Sequence, residues 1–176
     1  ELRLATAYLY MKPWFGFHST RLFAMGDARG NNIYGDNNNE TGYAPYCLFT
    51  DKPNTPGLAD AWNSLYIVVT QADYIINDYA PQGRQHFSEA QANACEGEAR
   101  FMRAAAYYYL ASYWHDVPIM ENPIAHTEAF NMAPTRFEDV IRYGIRDLEY
   151  AAEWLPLADA DGRVTRYSAL GLLARY

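Results

Sequence analysis

Cysteine, lysine and long apolar runs are scarce in this 176-residue sequence, and each shortage narrows what the chain can be. Cys47 and Cys95 alone build neither a disulfide framework nor a zinc site, and neither lies in a Cys-x-x-Cys pair. They leave the redox compartment open. Lys12 and Lys52 are the only lysines, and the twelve arginines are scattered, so the formal charge of −7 comes without a basic stripe. Nucleic acid and an anionic membrane surface are thereby disfavoured as partners. The longest weakly charged stretch, Ala104 to Trp114, is 11 residues long and follows Arg100 and Arg103, whereas a bilayer span needs about 20.

The motifs of common catalytic sites are also missing. His18, His86, His115 and His126 form neither a His-Glu-x-x-His nor an i, i+4 pair, so no two imidazoles share a helix face for zinc. No Gly-x-Ser-x-Gly elbow occurs. Gly26-Asp27-Ala28-Arg29-Gly30 lacks the Gly-Lys-Ser/Thr of a phosphate loop, and Asp159-Ala160-Asp161-Gly162 lacks the glutamate that closes a calcium loop, with Leu170 in its place. The latter reads as a turn. No cofactor and no metal is expected.

Half the residues are apolar, enough for the core of one domain. Apolar steps of three and four predict helices over about Leu58–Ala80, Ser88–His115 and Thr135–Leu155, a fourth from Thr165 onward, and a shorter one over about Leu2–Met11. Ser88 with Gln91 and Thr135 with Glu138 read as capping boxes, and Pro156 stops the third long helix. Short connectors pair Leu58–Ala80 with Ser88–His115 and Thr135–Leu155 with the last helix. Small residues such as Gly97, Ala99, Ala169, Gly171 and Ala174 let the partners approach closely. No segment alternates. The expected class is all-α, with helical hairpins of the tetratricopeptide type.

On the second of these helices Glu96 and Arg100 form an i, i+4 pair, and Arg103 is expected to reach an acid on a neighbour, for instance Asp147. His115-Asp116 reads as a helix-end feature rather than a catalytic dyad. Some rings of Tyr107-Tyr108-Tyr109 must be core, because together with Tyr113-Trp114 they occupy every face of their helix.

Pro13 to Gly57 is different: about 45 residues with five internal glycines, an asparagine cluster and eight aromatic rings. Loops beyond about 12–15 residues are uncommon unless functional or disordered, and disorder would not carry so many rings. A sugar offers patches of C–H between hydroxyls, so its receptor needs an exposed ring beside planar amide, carboxylate or guanidinium groups. Trp14, Phe15, Tyr34, Tyr43 and Tyr46, mixed with Asp27, Arg29, Asn31, Asn32, Asp36, Asn37, Asn38 and Asn39, supply that chemistry, and Trp14, Phe15, Asp27, Arg29, Asn31, Asn32, Tyr34 and Tyr43 form the candidate ligand site. The alternative is that glycine and asparagine serve left-handed turns while the rings only anchor the segment. Asn39-Glu40-Thr41 also fits a glycosylation sequon.

Ala61-Trp62-Asn63-Ser64-Leu65-Tyr66 and Ala72-Asp73-Tyr74-Ile75-Ile76 resemble the W-x-x-L-Y and A-N-x-I-I signals of the SusD/RagB family of Bacteroidota, with Asp73 replacing asparagine. Glu98-Ala99-Arg100-Phe101-Met102-Arg103-Ala104-Ala105-Ala106-Tyr107-Tyr108-Tyr109-Leu110 is similar to E-A-R-F-L-R-A-x-x-Y-x-x-L, and Val117-Pro118-Ile119 to the turn after it. Ile145-Arg146-Asp147-Leu148-Glu149, Trp154-Leu155-Pro156 and Gly162-Arg163-Val164-Thr165 resemble later signals of the same family. Trp114-His115-Asp116 departs from its Phe-Gly.

The resemblance implies a non-catalytic, surface-exposed lipoprotein of the outer membrane that binds an oligosaccharide or other nutrient. It implies docking on a SusC-like TonB-dependent transporter and anchoring by an N-terminal lipid outside this chain. Residues 1–176 would then be an N-terminal portion of a longer protein, cut at both ends. Two other classes remain open: a tetratricopeptide-type scaffold for protein partners, and a helical glycosidase, which needs two carboxylates about 5–9.5 Å apart, for which Asp27 and Asp36 are the only proposal.

Overall fold

A computed structural model describes residues 6–7, 9–10, 22, 24–30, 44–55, 57–122 and 132–176. Among them the structure is helical and contains no strand, only an isolated antiparallel bridge between Val117 and Thr135, so the all-α expectation is borne out. The helices are α1 (Ala44–Cys47), α2 (Leu58–Tyr74), α3 (Ala80–Gly83), α4 (Glu89–Trp114), α5 (Phe137–Trp154) and α6 (Arg166–Leu173). Thr6, Ala7, Leu9 and Tyr10 are also helical; the rest of the Leu2–Met11 expectation lies outside the described residues. The chain forms two compact units, Glu1–Tyr10 with Ile67–Tyr176 and, separately, Met11–Tyr66.

In the larger unit, most of the predicted boundaries hold. Ser88 accepts from the Gln91 amide while Gln91 Oε1 accepts from Ser88 N at 3.1 Å, closing the expected box at the head of α4. The β-branched run Ile67-Val68-Val69-Thr70 is helical, with Val68 and Val69 in the core. The predicted helix over Leu58–Ala80 is not uniform, because Ile75–Tyr79 forms a π-helical turn. There the Asn77 amide donates to the Asp73 carbonyl at 2.8 Å and to the Glu121 carbonyl at 3.2 Å, competing with the regular ladder.

Two expectations are corrected. Thr135 does not cap α5: both its backbone groups pair with Val117, at 3.0 and 3.2 Å, so the helix starts after Arg136. The free amide of Phe137 is met instead by Asp116 Oδ1 at 2.9 Å. Asp116 therefore caps the following helix, and His115, at φ 68°, ends α4 with its ring stacked on Phe137.

The second correction concerns packing. The widest helix interface is α4 on α5, between the two expected hairpins, and the small residues of α4 serve that contact. A Cβ on Gly97 would meet Leu155 Cγ at 3.4 Å and Ala151 Cα at 3.6 Å. Gly171 and Ala174 are exposed and take no part; of the small α6 residues only Ala169 is buried, against Ala151 and Leu155. Tyr107 is fully buried, its hydroxyl accepting from Met120 N at 2.8 Å and its ring edge on Tyr143 at 5.5 Å.

Gly144 of α5 makes room for Tyr176, whose hydroxyl donates to the Ala104 carbonyl at 2.6 Å; a Cβ on Gly144 would fall within that ring. Gly144→Ala should expel the phenol and lower the urea midpoint by the equivalent of about 1–3 kcal/mol, the usual cost of overpacking. Tyr176→Phe should lose only about 1 kcal/mol, one hydrogen bond. Equal losses for both variants would mean that the ring is not held there.

Candidate functional site

The segment expected to be irregular contains ordered turns. Ala24–Ala28 is a π-helical turn with Ala24, Met25 and Ala28 buried, and it packs on α1. Asp27 is exposed and Arg29 half-buried at its end, where Gly30 N donates to Gly26 O at 2.8 Å. In α1, Tyr46, one of the rings expected to offer a sugar face, is instead 1% exposed and anchors the element. The chain then reverses: Leu48 N donates to Ala44 O at 3.0 Å and Thr50 N to Pro45 O at 3.0 Å, with Phe49 at φ 53°. A bulky residue in the left-handed region costs about 1–3 kcal/mol and persists only when its surroundings enforce it. A second turn follows at once, with Lys52 N donating to Thr55 Oγ1 at 2.7 Å.

The consequence is an aromatic ring held outward. Phe49 is 67% exposed, the guanidinium carbon of Arg29 lies 5.8 Å from its ring centre, and Arg29 Nη2 pairs with Asp51 Oδ1 at 2.5 Å. Ring and carboxylate thus stand on a short, twice-pinned stretch, with the guanidinium reaching them from the end of the Ala24–Ala28 turn, and together they are the set of groups that a sugar face with flanking hydroxyls requires.

Of the eight residues nominated from sequence, the structure places Arg29 in this cluster and Asp27 on the adjoining turn. Trp14, Phe15, Asn31, Asn32, Tyr34 and Tyr43 lie outside the described residues, as do Asp36 and the Asn39-Glu40-Thr41 sequon. The cluster also brings in Phe49 and Asp51, which the composition argument does not nominate. Their signal was Leu48-Phe49, two large apolar residues directly before Thr50-Asp51-Lys52-Pro53-Asn54, a run of turn formers that offers no interior for both.

Among the described residues the larger unit carries grooves in which several of the polar lining groups are already paired. The first, about 660 Å³, is lined by Phe87, Gln91, Cys95, Glu98, Trp154 and Asp159 among others. Gln91 is engaged at the α4 cap and Glu98 with Arg163 at 2.6 Å. The second, about 710 Å³, runs past Glu121, Asp139, Arg142, Tyr143 and Arg146. Arg142 is paired with Asp139 at 2.7 Å, and the Tyr143 ring takes Arg103 at 4.9 Å and Arg146 at 5.6 Å.

The charge cluster of α4 is structural. Arg103 joins Asp147, through Nε and Nη2 at 2.8 Å each, to Asp73, through Nη1 at 2.5 Å, with all three side chains at most 4% exposed. Both sequence-derived pairs, Glu96 with Arg100 and Arg103 with Asp147, are present. Burial would lower the Arg103 pKa, but its bonds to Asp147 outweigh that and hold it above the ordinary value. Among the described residues no three His, Cys, Asp or Glu side chains gather as metal ligands, and Cys47 and Cys95 form no disulfide.

Glu96 accepts from Arg84 at 2.5 Å and from Arg100 at 2.8 Å. Desolvation pushes its pKa up, but the two guanidinium bonds prevail and set it below 4.5. A carboxylate with a folded pKa below its unfolded one stabilises the fold above the unfolded value of about 4.3 and loses that contribution as pH falls through the depressed folded value. Glu96→Gln should therefore lower stability at pH 7 and flatten the stability–pH curve below pH 4.3. A parallel acid limb in urea melts of the two proteins would contradict this.

Comparison with known proteins agrees with the motif pattern. Residues 17–176 match the SusD-like family model described as "Starch-binding associating with outer membrane". The chain belongs to the SusD-like family. A SusD-like protein of Bacteroides ovatus is 33% identical over 174 residues, covering 99% of this chain and 31% of its own length. A crystal structure with xylogluco-oligosaccharide is 32% identical with a TM-score of 0.81, over 99% of this chain and 34% of that one. A laminarin-binding SusD-like protein, 22% identical, shares the fold at a TM-score of 0.84, over 99% of this chain and 39% of that one. The chain thus spans about a third of the length of its SusD-like relatives.

Proposed function

We propose that this chain contributes to a non-catalytic glycan receptor that holds oligosaccharide at the cell surface and passes it to a SusC-like TonB-dependent transporter of the outer membrane, to which a lipid anchor tethers it. The observation that carries the reading is the Phe49 ring, held outward in a strained conformation beside the Arg29–Asp51 pair. Two-thirds of the ring is exposed, and the C–H face of a pyranose would cover it and place hydroxyls against both charged groups. Family membership supports the class of ligand, and the xylogluco-oligosaccharide in a relative at 32% identity supports a glucan-based one.

The test is calorimetry of the full-length protein against xylogluco-oligosaccharides, β-1,4- and β-1,3-gluco-oligosaccharides, malto-oligosaccharides and galactomannan. Saturable binding with the glycan recovered unchanged after prolonged incubation is the expected result. Shortened products would favour the glycosidase, and no binding anywhere in the panel would remove the receptor reading. A protein-binding scaffold is the second reading, favoured by Tyr167 and Leu170 on α6, 66% and 45% exposed. Pull-down of the transporter with glycan binding intact would join the two readings; pull-down without glycan binding would leave the scaffold alone.

A further inference from the structure

We infer that Asp51 makes this site selective for neutral glycans over anionic ones, an inference that rests on the reading of Arg29, Phe49 and Asp51 as a sugar site. A free guanidinium beside an aromatic face is an anion-recognition element, because its planar N–H groups match carboxylate and sulfate bidentately. Arg29 is not free. Its Nη2 is bonded to Asp51 Oδ1 at 2.5 Å, with Asp51 the less exposed partner at 15% against 36% for Arg29. A uronate or sulfate approaching the guanidinium would have to displace this carboxylate or lie against it, and like charges at such range repel.

The wider charge pattern agrees. In the described stretches 24–30 and 44–55 the charged side chains are Asp27, Arg29, Asp51 and Lys52, two of each sign, within a chain of net charge −7. Among the described residues of these stretches no positive excess remains to attract a polyanion. A neutral sugar loses nothing by this compensation. Hydroxyls both donate and accept, so they use the remaining guanidinium N–H groups and the carboxylate as they stand. The pair also fixes the rotamer of the long Arg29 side chain beside the ring, which lowers the ordering cost of binding.

The experiment compares the full-length protein with its Asp51→Asn, Arg29→Gln and Phe49→Ala variants, titrated with each neutral glycan of the panel and with its carboxymethylated counterpart, at 50 and 500 mM salt. The wild type should favour the neutral form at least tenfold. Asp51→Asn should narrow that ratio at least fivefold at low salt and much less at high salt. Arg29→Gln, which leaves Asp51 uncompensated, should widen it. The inference is overturned if the wild type prefers the anionic form, or if both charge variants leave the ratio unchanged while Phe49→Ala weakens binding. If Phe49→Ala affects no probe, the glycan sits elsewhere and the underlying reading falls with it. Should Asp51→Asn fail to fold in urea melts, the direction of the Arg29→Gln change decides alone.

Discussion

Arg103→Met will destabilise the protein by about 3–5 kcal/mol, read as a lowered urea midpoint at unchanged slope. The magnitude follows from what is left behind. Asp73 and Asp147 are 0% and 2% exposed, and Arg103 supplies three hydrogen bonds to them. Without it, Asp147 retains Arg100, at 2.8 Å, and two buried carboxylates lose the cation that joins them. Arg103→Lys should recover only part of the loss, because an ammonium group on a flexible stem cannot serve one carboxylate in a fork and a second one at the same time. A loss below about 1 kcal/mol for the methionine variant would mean that water reaches the cluster and screens it.

Phe49→Gly will separate binding from stability. Losing the ring should weaken the best neutral glycan by about 1–3 kcal/mol, by analogy with bases stacked on aromatic side chains, which is roughly 5- to 150-fold in Kd. Glycine, by contrast, adopts φ 53° without a Cβ clash, so the same substitution should hold or raise the unfolding free energy by about 1 kcal/mol. Phe49→Trp should keep the affinity. A glycine variant that binds normally, or one that melts early, would show Phe49 to be an anchor of its turn.

Helix caps and helix-face pairs were legible because they depend on spacing within one element. Ser88 with Gln91 and Glu96 with Arg100 need nothing beyond a turn of helix, and both are present. Thr135 shows where that reasoning stops. Its spacing to Glu138 fits a box, but Val117, 18 positions away, pairs with its backbone and the helix starts one residue later, after Arg136. The choice of α5 rather than α2 as the main partner of α4 was equally out of reach, since Gly97 and its small neighbours permit close approach without naming what approaches. Asp73 was noticed only as a substitution; that it shares Arg103 with Asp147 emerges from packing alone.

At the candidate site, composition located the segment but not the ring. Tyr46 and Phe49 stand three residues apart, yet one is 1% and the other 67% exposed. What divides them is the end of a helix of four residues and one positive φ, and neither has a counterpart in hydropathy. Arg29 could be nominated because a cation among rings has a recognisable chemistry, whereas Asp51, 22 positions further on, joins it only through the fold.

Arg163 reaches back along the chain to Thr6, donating to its hydroxyl at 2.9 Å, while Val164 N donates to the Tyr10 hydroxyl at 3.2 Å. The larger unit is therefore discontinuous in sequence, its opening stretch waiting on residues made much later. Thr6 stays without this partner until the chain has emerged as far as Arg163, 157 positions on, in whichever compartment it folds. During that interval the nascent helix is a target for chaperones and for pairing with the wrong surface, and variants of Arg163 should lower the yield of folded protein more than their cost at equilibrium would suggest.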